Sequence, residues 1–382
     1  MRILFFGDCA AEHLRRWSKY FANMGHDIHV ITWNNYILDG YDPVQVHLLK
    51  KYKYRGSSFV GRLINFMILF KQVKSCIINI KPDIIHAHSA GAYSWIAAFI
   101  GFRPLVITPW GNDVLVNINS SRLVKLFTVY SLKKADLVHC DGSNTRDAII
   151  KLGVLHEKIK ILTFGVDIKK FYPGKSDIDF LQKNCLFGFN VIVSSRTLNP
   201  NHNVETVIRC APLVLDKAPN TKFLIVGSGI EDKMLQDLSI TLGVAHAVVF
   251  LGRVDEHQMV NCLRSAKIYV STSLSESGLA ASTAEAMACG LPVINTDTGD
   301  IRLWIDDNKG GFIVPTKDYK SISDKIIYLL EHEEMCHKFS MLNRLTIENR
   351  NNVYIEMKNM ETIYKNVVER HKDQCSKKVI NS

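Results

Sequence analysis

The stretch SESGLAASTAEAMACGLPVI, residues 275–294, sets two glutamates, Glu276 and Glu285, among small residues and closes on a glycine, a proline and a β-branched run. It follows KIYVSTS, which reads as a buried strand. Gly278 lets the backbone come close to a ligand. Ala280, Ala281 and Ser282 open a helix without crowding its N-terminus, whose N–H groups suit an anion such as a diphosphate. Glu285 falls about one turn into that helix. Two readings fit its carboxylate. It grips both hydroxyls of a ribose, or it lies on the surface of a small-residue helix packed on a sheet.

Outward from this stretch, strands and helices alternate. NVIVSSR, KFLIVGSG, AVVFLGRV, KIYVSTS and LPVINTDTG read as strands, with NVETVIRCAPLVLDKA, IEDKMLQDLSITLG and EHQMVNCLRSA as helices between them. The first half repeats the theme. RILFFG, HDIHVIT, PDIIHAH, PLVITPW, ADLVHCDG and KIKILTFGVD are strands. EHLRRWSKYFANMG, AGAYSWIAAFIG and SNTRDAIIKLG are helices, the last with Ser143 or Asn144 as N-cap. Such alternation predicts an α/β fold of two Rossmann-like, doubly wound parallel-sheet domains facing a central cleft. The expected division is 1–168, a linker over 169–188 where KKFYPGKSDIDFLQKN loses its period, and 189–351. A final helix over 352–382 packs back on the first domain.

Composition bounds the classes. The 382 residues are 47% hydrophobic and 22% charged, ordinary for a globular protein of two domains. Nine cysteines, scattered without CxxC pairs, fit a reducing compartment and neither a disulfide framework nor a zinc site. MRILFFGD reads as a first strand and not as a signal peptide. FVGRLINFMILF and SAGAYSWIAAFIGF fall short of the roughly 18 apolar residues a membrane span needs. Residues 1–170 hold 23 Lys and Arg against 12 Asp and Glu, which leaves 24 against 25 for the rest, so the net charge of +10 lies in the first half. That points to an anionic partner, or to a solubilising bias with no partner.

The stretch resembles the donor-binding signature of family 4 glycosyltransferases, retaining enzymes of the GT-B fold, with EAMACGLPVI matching its second half. GHDIHVIT, ADLVHCDGSNTRDAIIKLGVLHEKIKILTFGVDIKKFYP, LIVGSG, FLGRV and TDTGDIRLWIDDNKGGFIVP resemble further family segments in the same order, over nearly the whole chain. The resemblance implies an N-terminal acceptor-binding domain and a C-terminal donor-binding domain. It places Glu285 on the nucleotide ribose and Arg196 on the donor diphosphate, where a guanidinium fork fits well. It lets the nucleotide lie on Gly227 and Gly229, puts Gly252, Arg253 and Val254 beside the base, and offers Gly278, Leu279 and Ala280 to phosphate or sugar.

Three positions depart from the pattern. Eight before Glu285 stands Ser277, and the acidic residue is one earlier, at Glu276. The lysine that accompanies the arginine is missing, with His202 the nearest counterpart, so phosphate binding is expected to be weaker or pH-dependent. ITPWGNDVL carries Trp110 where many members have a histidine. Trp110 stacks on a sugar face beside Asn112 and Asp113, or it simply packs. Arg196, Glu276, Trp110 and Asp113 are the expected catalytic group, and Gly7, His13 and His88 the acceptor side. His13 could instead pack on its own helix. His86 is expected in the core. The pair His86 and His88 is too few for a metal site, and Asp177 and Asp179, formally a DxD, fall in the linker. No metal or other cofactor is called for.

The resemblance implies a retaining glycosyltransferase acting on a nucleotide-sugar, with UDP favoured over GDP; the basic and apolar first half adds a lipid-linked or cell-surface glycan precursor as its expected acceptor. Arg196 and the helix start at 279–282 stabilise the leaving diphosphate. The basic run 50–62, KKYKYRGSSFVGR, followed by LINFMILF, fits peripheral contact with an anionic membrane on the cytoplasmic face. It fits equally a buried helix behind a basic loop. The alternatives are a catalytically inactive partner subunit or another GT-B enzyme such as a sugar-nucleotide epimerase. No motif supports a nucleic-acid partner.

Overall fold

The computed structural model describes residues 1–34, 37, 40–50, 59–305 and 309–380. The expected basic contact over 51–58 and part of the family segment at 306–308 lie outside these. The chain divides into two compact units, Met1–Thr163 with Glu356–Ser382, and Phe164–Ile355.

In the first unit seven strands form one sheet: β1 Arg2–Phe6, β2 Asp27–Thr32, β3 Gln45–Leu48, β4 Ile84–His88, β5 Leu105–Thr108, β6 Leu137–Cys140 and β7 Ile159–Ile161. Their order is β3-β2-β1-β4-β5-β6-β7, all parallel. In the second unit β8 Asn190–Ser195, β9 Thr221–Val226, β10 Val248–Gly252, β11 Ile268–Ser271, β12 Val293–Thr296 and β13 Gly311–Val314 run in the order β10-β9-β8-β11-β12-β13, again all parallel. Helices cover both faces of such sheets. That is why runs like ILFF and FLIV are apolar throughout and fully buried. Each order reverses once, between β1 and β4 and between β8 and β11. In doubly wound sheets this is the point, beyond the carboxyl ends of the strands, where ligands bind.

Four expectations need correction. The segment 169–188 is no free linker. Phe171 and Leu186 are buried at 1% exposure each, worth about 1.5–3 kcal/mol per side chain. Arg344 donates to the carbonyls of Ile168 and Phe171, and a short helix, Ile178–Lys183, starts on the Asp177 carboxylate. The segment belongs to the second unit, and the division falls at Thr163. The helix Ser143–Lys151 has Gly142 at its N-cap position, one residue before Ser143 and two before Asn144, the expected caps. An edge strand, β3, and the helix Arg122–Lys134 join the expected elements. Finally, FVGRLINFMILF does not stop at Phe70. The helix runs over Phe59–Ile80, and its window Leu63–Ile80 is long and apolar enough to cross a membrane, with a mean hydropathy of 1.4. Leu69, Val73, Ile77 and Ile80 are nevertheless packed into the core of the first unit, so one stripe of this helix is a layer of the α/β fold.

The last helix, Val353–Ile380, starts in the second unit and continues into the first, where it buries Met360, Tyr364, Val367 and Val368.

Candidate active site

Arg196 sits directly after β8, at the reversal point of the second sheet. Its side chain is 9% exposed. One guanidinium nitrogen donates to Ser282 Oγ at 3.0 Å and another pairs with the Glu276 carboxylate. Ser282 is held in turn by Tyr269 Oη at 2.8 Å. The shifted glutamate thus reaches the arginine from one position before Ser277. Arg196, Gly227 and Arg253 line a pocket of about 380 Å³ together with Ser228, Val254 and Met259. Met259 was not singled out in the sequence. It lies in the first turn of the helix Glu256–Ser265, and its apolar side chain adds to that of Val254.

The glycine turn is built by close approach. A Cβ on Gly227 would sit 2.0 Å from the Arg196 carbonyl oxygen, at a φ of +132°. One on Gly229 would sit 2.0 Å from the Leu198 carbonyl oxygen. Arg196 N donates to Val226 O at 3.0 Å and Leu198 N to Ser228 O at 3.2 Å, so the two loops are laced together. Gly227→Ala is therefore expected to cost more than about 2 kcal/mol and to displace Arg196. Urea unfolding measures the first effect and nucleotide titration the second.

The helix Ala281–Ala288 starts on Ala280, with no side-chain cap. Gly278 O accepts from Asp300 N at 3.3 Å, which fastens the loop before it, and Leu279 packs partly against the core. Glu285 is buried at 8% exposure, so the reading that put it on the surface is set aside. His202 Nδ1 donates to the Thr197 carbonyl at 2.9 Å. Burial, helped by the Arg196 charge, pushes its pKa down to about 3. It is neutral near pH 7 with its lone pair on Nε2, and so presents no cation to a phosphate.

In the first unit Gly7, His13, His88 and Trp110 gather at the carboxyl ends of β1, β4 and β5. A Cβ on Gly7 would meet His88 Cβ at 3.0 Å. The Trp110 ring lies 6.4 Å from His13 and 6.2 Å from His88, edge-on to both. His88 is fully buried with neither ring nitrogen hydrogen-bonded, and burial pushes its pKa down to about 3. The Trp110 Nε1 is likewise buried without a partner. Burial pushes His13 down to about 4. Asp113 accepts from Trp110 N at 3.0 Å and from Ala90 N at 2.6 Å. Burial raises its pKa. These contacts make Asp113 a clamp on the Trp110 loop, not an open carboxylate. His86 is in the core, bonded to Tyr364 and Thr108. Asp177 serves as a helix cap. Among the described residues no group of three or more His, Cys, Asp or Glu could hold a metal ion.

With this geometry in hand, two family models match: the group 1 glycosyl transferases over residues 180–344, and glycosyl transferase 4-like over residues 2–142. The chain belongs to the group 1, family 4 type of GT-B glycosyltransferases. It is accordingly a hexosyl-transferring enzyme. The phosphatidyl-myo-inositol mannosyltransferase of Mycolicibacterium smegmatis is 24% identical, over 85% of this chain and 81% of that protein. The capsular polysaccharide biosynthesis glycosyltransferase CapM of Staphylococcus aureus is 22% identical, over 92% and 93%. Among solved structures, Anabaena HepE in complex with UDP superposes with a TM-score of 0.76 at 19% identity, over 96% of this chain and all of that one. The sucrose-phosphate synthase of Thermosynechococcus elongatus gives 0.81 at 17%, over 97% and all. These likenesses carry the fold.

Proposed function

We propose that this glycosyltransferase moves a hexosyl group, with retention, from a UDP-sugar to a hydroxyl of a lipid-linked or cell-surface glycan precursor. The observation that carries the donor half is the nearly buried guanidinium of Arg196 at the edge of the 380 Å³ pocket, beside a glycine turn that brings backbone close. The UDP bound in HepE supports the choice of nucleotide. The names of the mannosyltransferase and of CapM support the acceptor class. Glu285 takes the ribose, and Arg253 and Val254 flank the base. As the glycosidic bond breaks, charge grows on the leaving diphosphate, where Arg196 and the N–H groups at 279–282 meet it. The acceptor hydroxyl attacks from the same face and passes its proton to the leaving phosphate oxygen. Arg196 does the work a metal would otherwise do, so the reaction is proposed to need none. His13, His88 and Trp110 face the acceptor. Nine cysteines, scattered in the sequence without a CxxC pair, support a reducing cytoplasm as the location, with a peripheral place at the inner membrane face.

A thermal-shift screen against UDP, GDP, ADP and their sugar conjugates tests this. The shift grows with the logarithm of ligand concentration over Kd. UDP is expected to stabilise the wild type and not Glu285→Ala or Arg196→Ala, with no change in turnover on adding EDTA. A shift with GDP alone would replace the donor. A folded protein that responds to none of them would be an inactive partner subunit.

A further inference from the structure

Three helices of the first unit pack side by side on its sheet: Phe59–Ile80, Ala92–Ile100 and Arg122–Lys134. Their aromatic rings tie them together. Phe66 meets Phe99 edge-on at 5.8 Å, and Phe99 meets Phe127 edge-on at 5.6 Å. Around this seam large apolar side chains are turned to solvent. Leu63, Met67, Leu123 and Leu126 are 52%, 49%, 51% and 60% exposed, and Phe99 is 38% exposed. Single exposed apolar residues are common, but a run across three helices is not.

The charge on the same helices has one sign. Residues 43–135 contain thirteen Lys and Arg against two Asp and no Glu. Both aspartates are engaged by backbone: Asp83 accepts from Arg2 N, and Asp113 from Trp110 N and Ala90 N. None of the three helices carries an acidic residue. Lys71, Lys74, Arg122 and Lys125 are exposed among the apolar side chains.

We infer that this three-helix face is a docking surface for an anionic lipid bilayer. Cations alone would suit a nucleic acid or an acidic protein. Leucine and methionine side chains beside them suit acyl chains below a layer of negative headgroups. The helix Phe59–Ile80 lies on the bilayer and does not cross it, because Leu69, Val73, Ile77 and Ile80 are spent on the protein core. The basic side chains meet the headgroups while Leu63, Met67, Leu123 and Leu126 enter the interface. This deepens the proposed lipid-linked acceptor, but it concerns binding and not transfer, so a failure of the donor reading leaves it standing.

The test is co-sedimentation of the full chain with vesicles of phosphatidylcholine and phosphatidylglycerol in equal parts, against phosphatidylcholine alone, at low and high salt. The wild type is expected to pellet with the anionic vesicles and to be released by salt. Arg122→Gln/Lys125→Gln and Leu123→Ser/Leu126→Ser are each expected to weaken binding at least about tenfold. All four positions are exposed, so circular dichroism and urea unfolding should match the wild type. A wild type that stays in solution with anionic vesicles at low salt overturns the inference, as do variants that pellet unchanged. Single-stranded RNA bound equally by the leucine variant and lost only in the cationic one would reassign the surface to nucleic acid.

Discussion

Arg196→Ala should leave the second unit folded and reduce transfer by about 10²–10³-fold, with the nucleotide-induced thermal shift lost. The side chain is 9% exposed and makes two kinds of contact, to Ser282 Oγ and to Glu276. Losing them costs about 1–3 kcal/mol of stability, which a domain of this size survives. Ser282 keeps its hydrogen bond from Tyr269, so the start of the helix Ala281–Ala288 stays in place. What disappears is a positive charge pre-set where the leaving diphosphate grows negative. Arg196→Lys should recover little, since an ammonium cannot reproduce the fork that spans two oxygens. Glu276→Gln separates binding from turnover. It removes the negative charge that Arg196 already faces, so UDP should bind more tightly while transfer slows. Arg196→Ala retaining more than a tenth of wild-type kcat/KM would remove the residue from the mechanism.

The parts of this fold that were legible in the sequence are those whose physics is local. Strands of a parallel sheet are covered on both faces and read as unbroken apolar runs, which is why VIVSS and FLIV stand out. The edge strand QVHL is half-exposed and carries no such run. The helix Arg122–Lys134 escaped because Leu123 and Leu126 point to solvent and blur its period. The segment 169–188 looked like a linker because its two anchors, Phe171 and Leu186, stand far apart among Pro, Gly and charges. In the site, Arg196 and Gly227 follow the family pattern, while Glu276 stands one position off it and only the fold shows that it reaches Arg196. The clamp made by Asp113 was not, since its partners are backbone N–H groups of two loops. Nor was the isolation of His88, which depends on the register of β1 and β4 and on where Trp17 and Trp110 pack.

That isolation leads to the second large effect, on acid stability. His86, His88 and His139 are all fully buried, and burial lowers each pKa: well below the ordinary value for His86, to about 3 for His88 and to about 4 for His139. Two of them stand in a directed chain. His139 Nε2 donates to Leu162 O, so its Nδ1 must accept from Thr108 Oγ1. Thr108 Oγ1 then accepts from His86 Nε2, and His86 Nδ1 accepts from Tyr364 Oη at 2.5 Å. Protonating either imidazole turns an acceptor into a donor and breaks the chain. The unfolded chain binds these protons near pH 6.5 and the folded one does not, so stability is complete above 6.5 and falls as the pH drops toward the folded values. Each histidine contributes up to about 1.4 kcal/mol per pH unit, and with His13 of the same unit, which burial also lowers to about 4, the four together contribute about 5–6. The first unit should therefore unfold within about one to three pH units below 6.5, given the 5–15 kcal/mol of a typical domain. Tryptophan fluorescence reports it, since Trp17, Trp33, Trp95 and Trp110 are all in this unit. His88→Met isolates one share. With no hydrogen bond to lose and a desolvated imidazole removed, the variant should be more stable than the wild type at pH 7 by about 1 kcal/mol or more, with the pH slope reduced by about a quarter. A destabilised variant with an unchanged slope would sink this account. Turnover in the same variant then decides why the imidazole is there: a protein that becomes more stable and less active was holding His88 for its acceptor, at a cost to its fold.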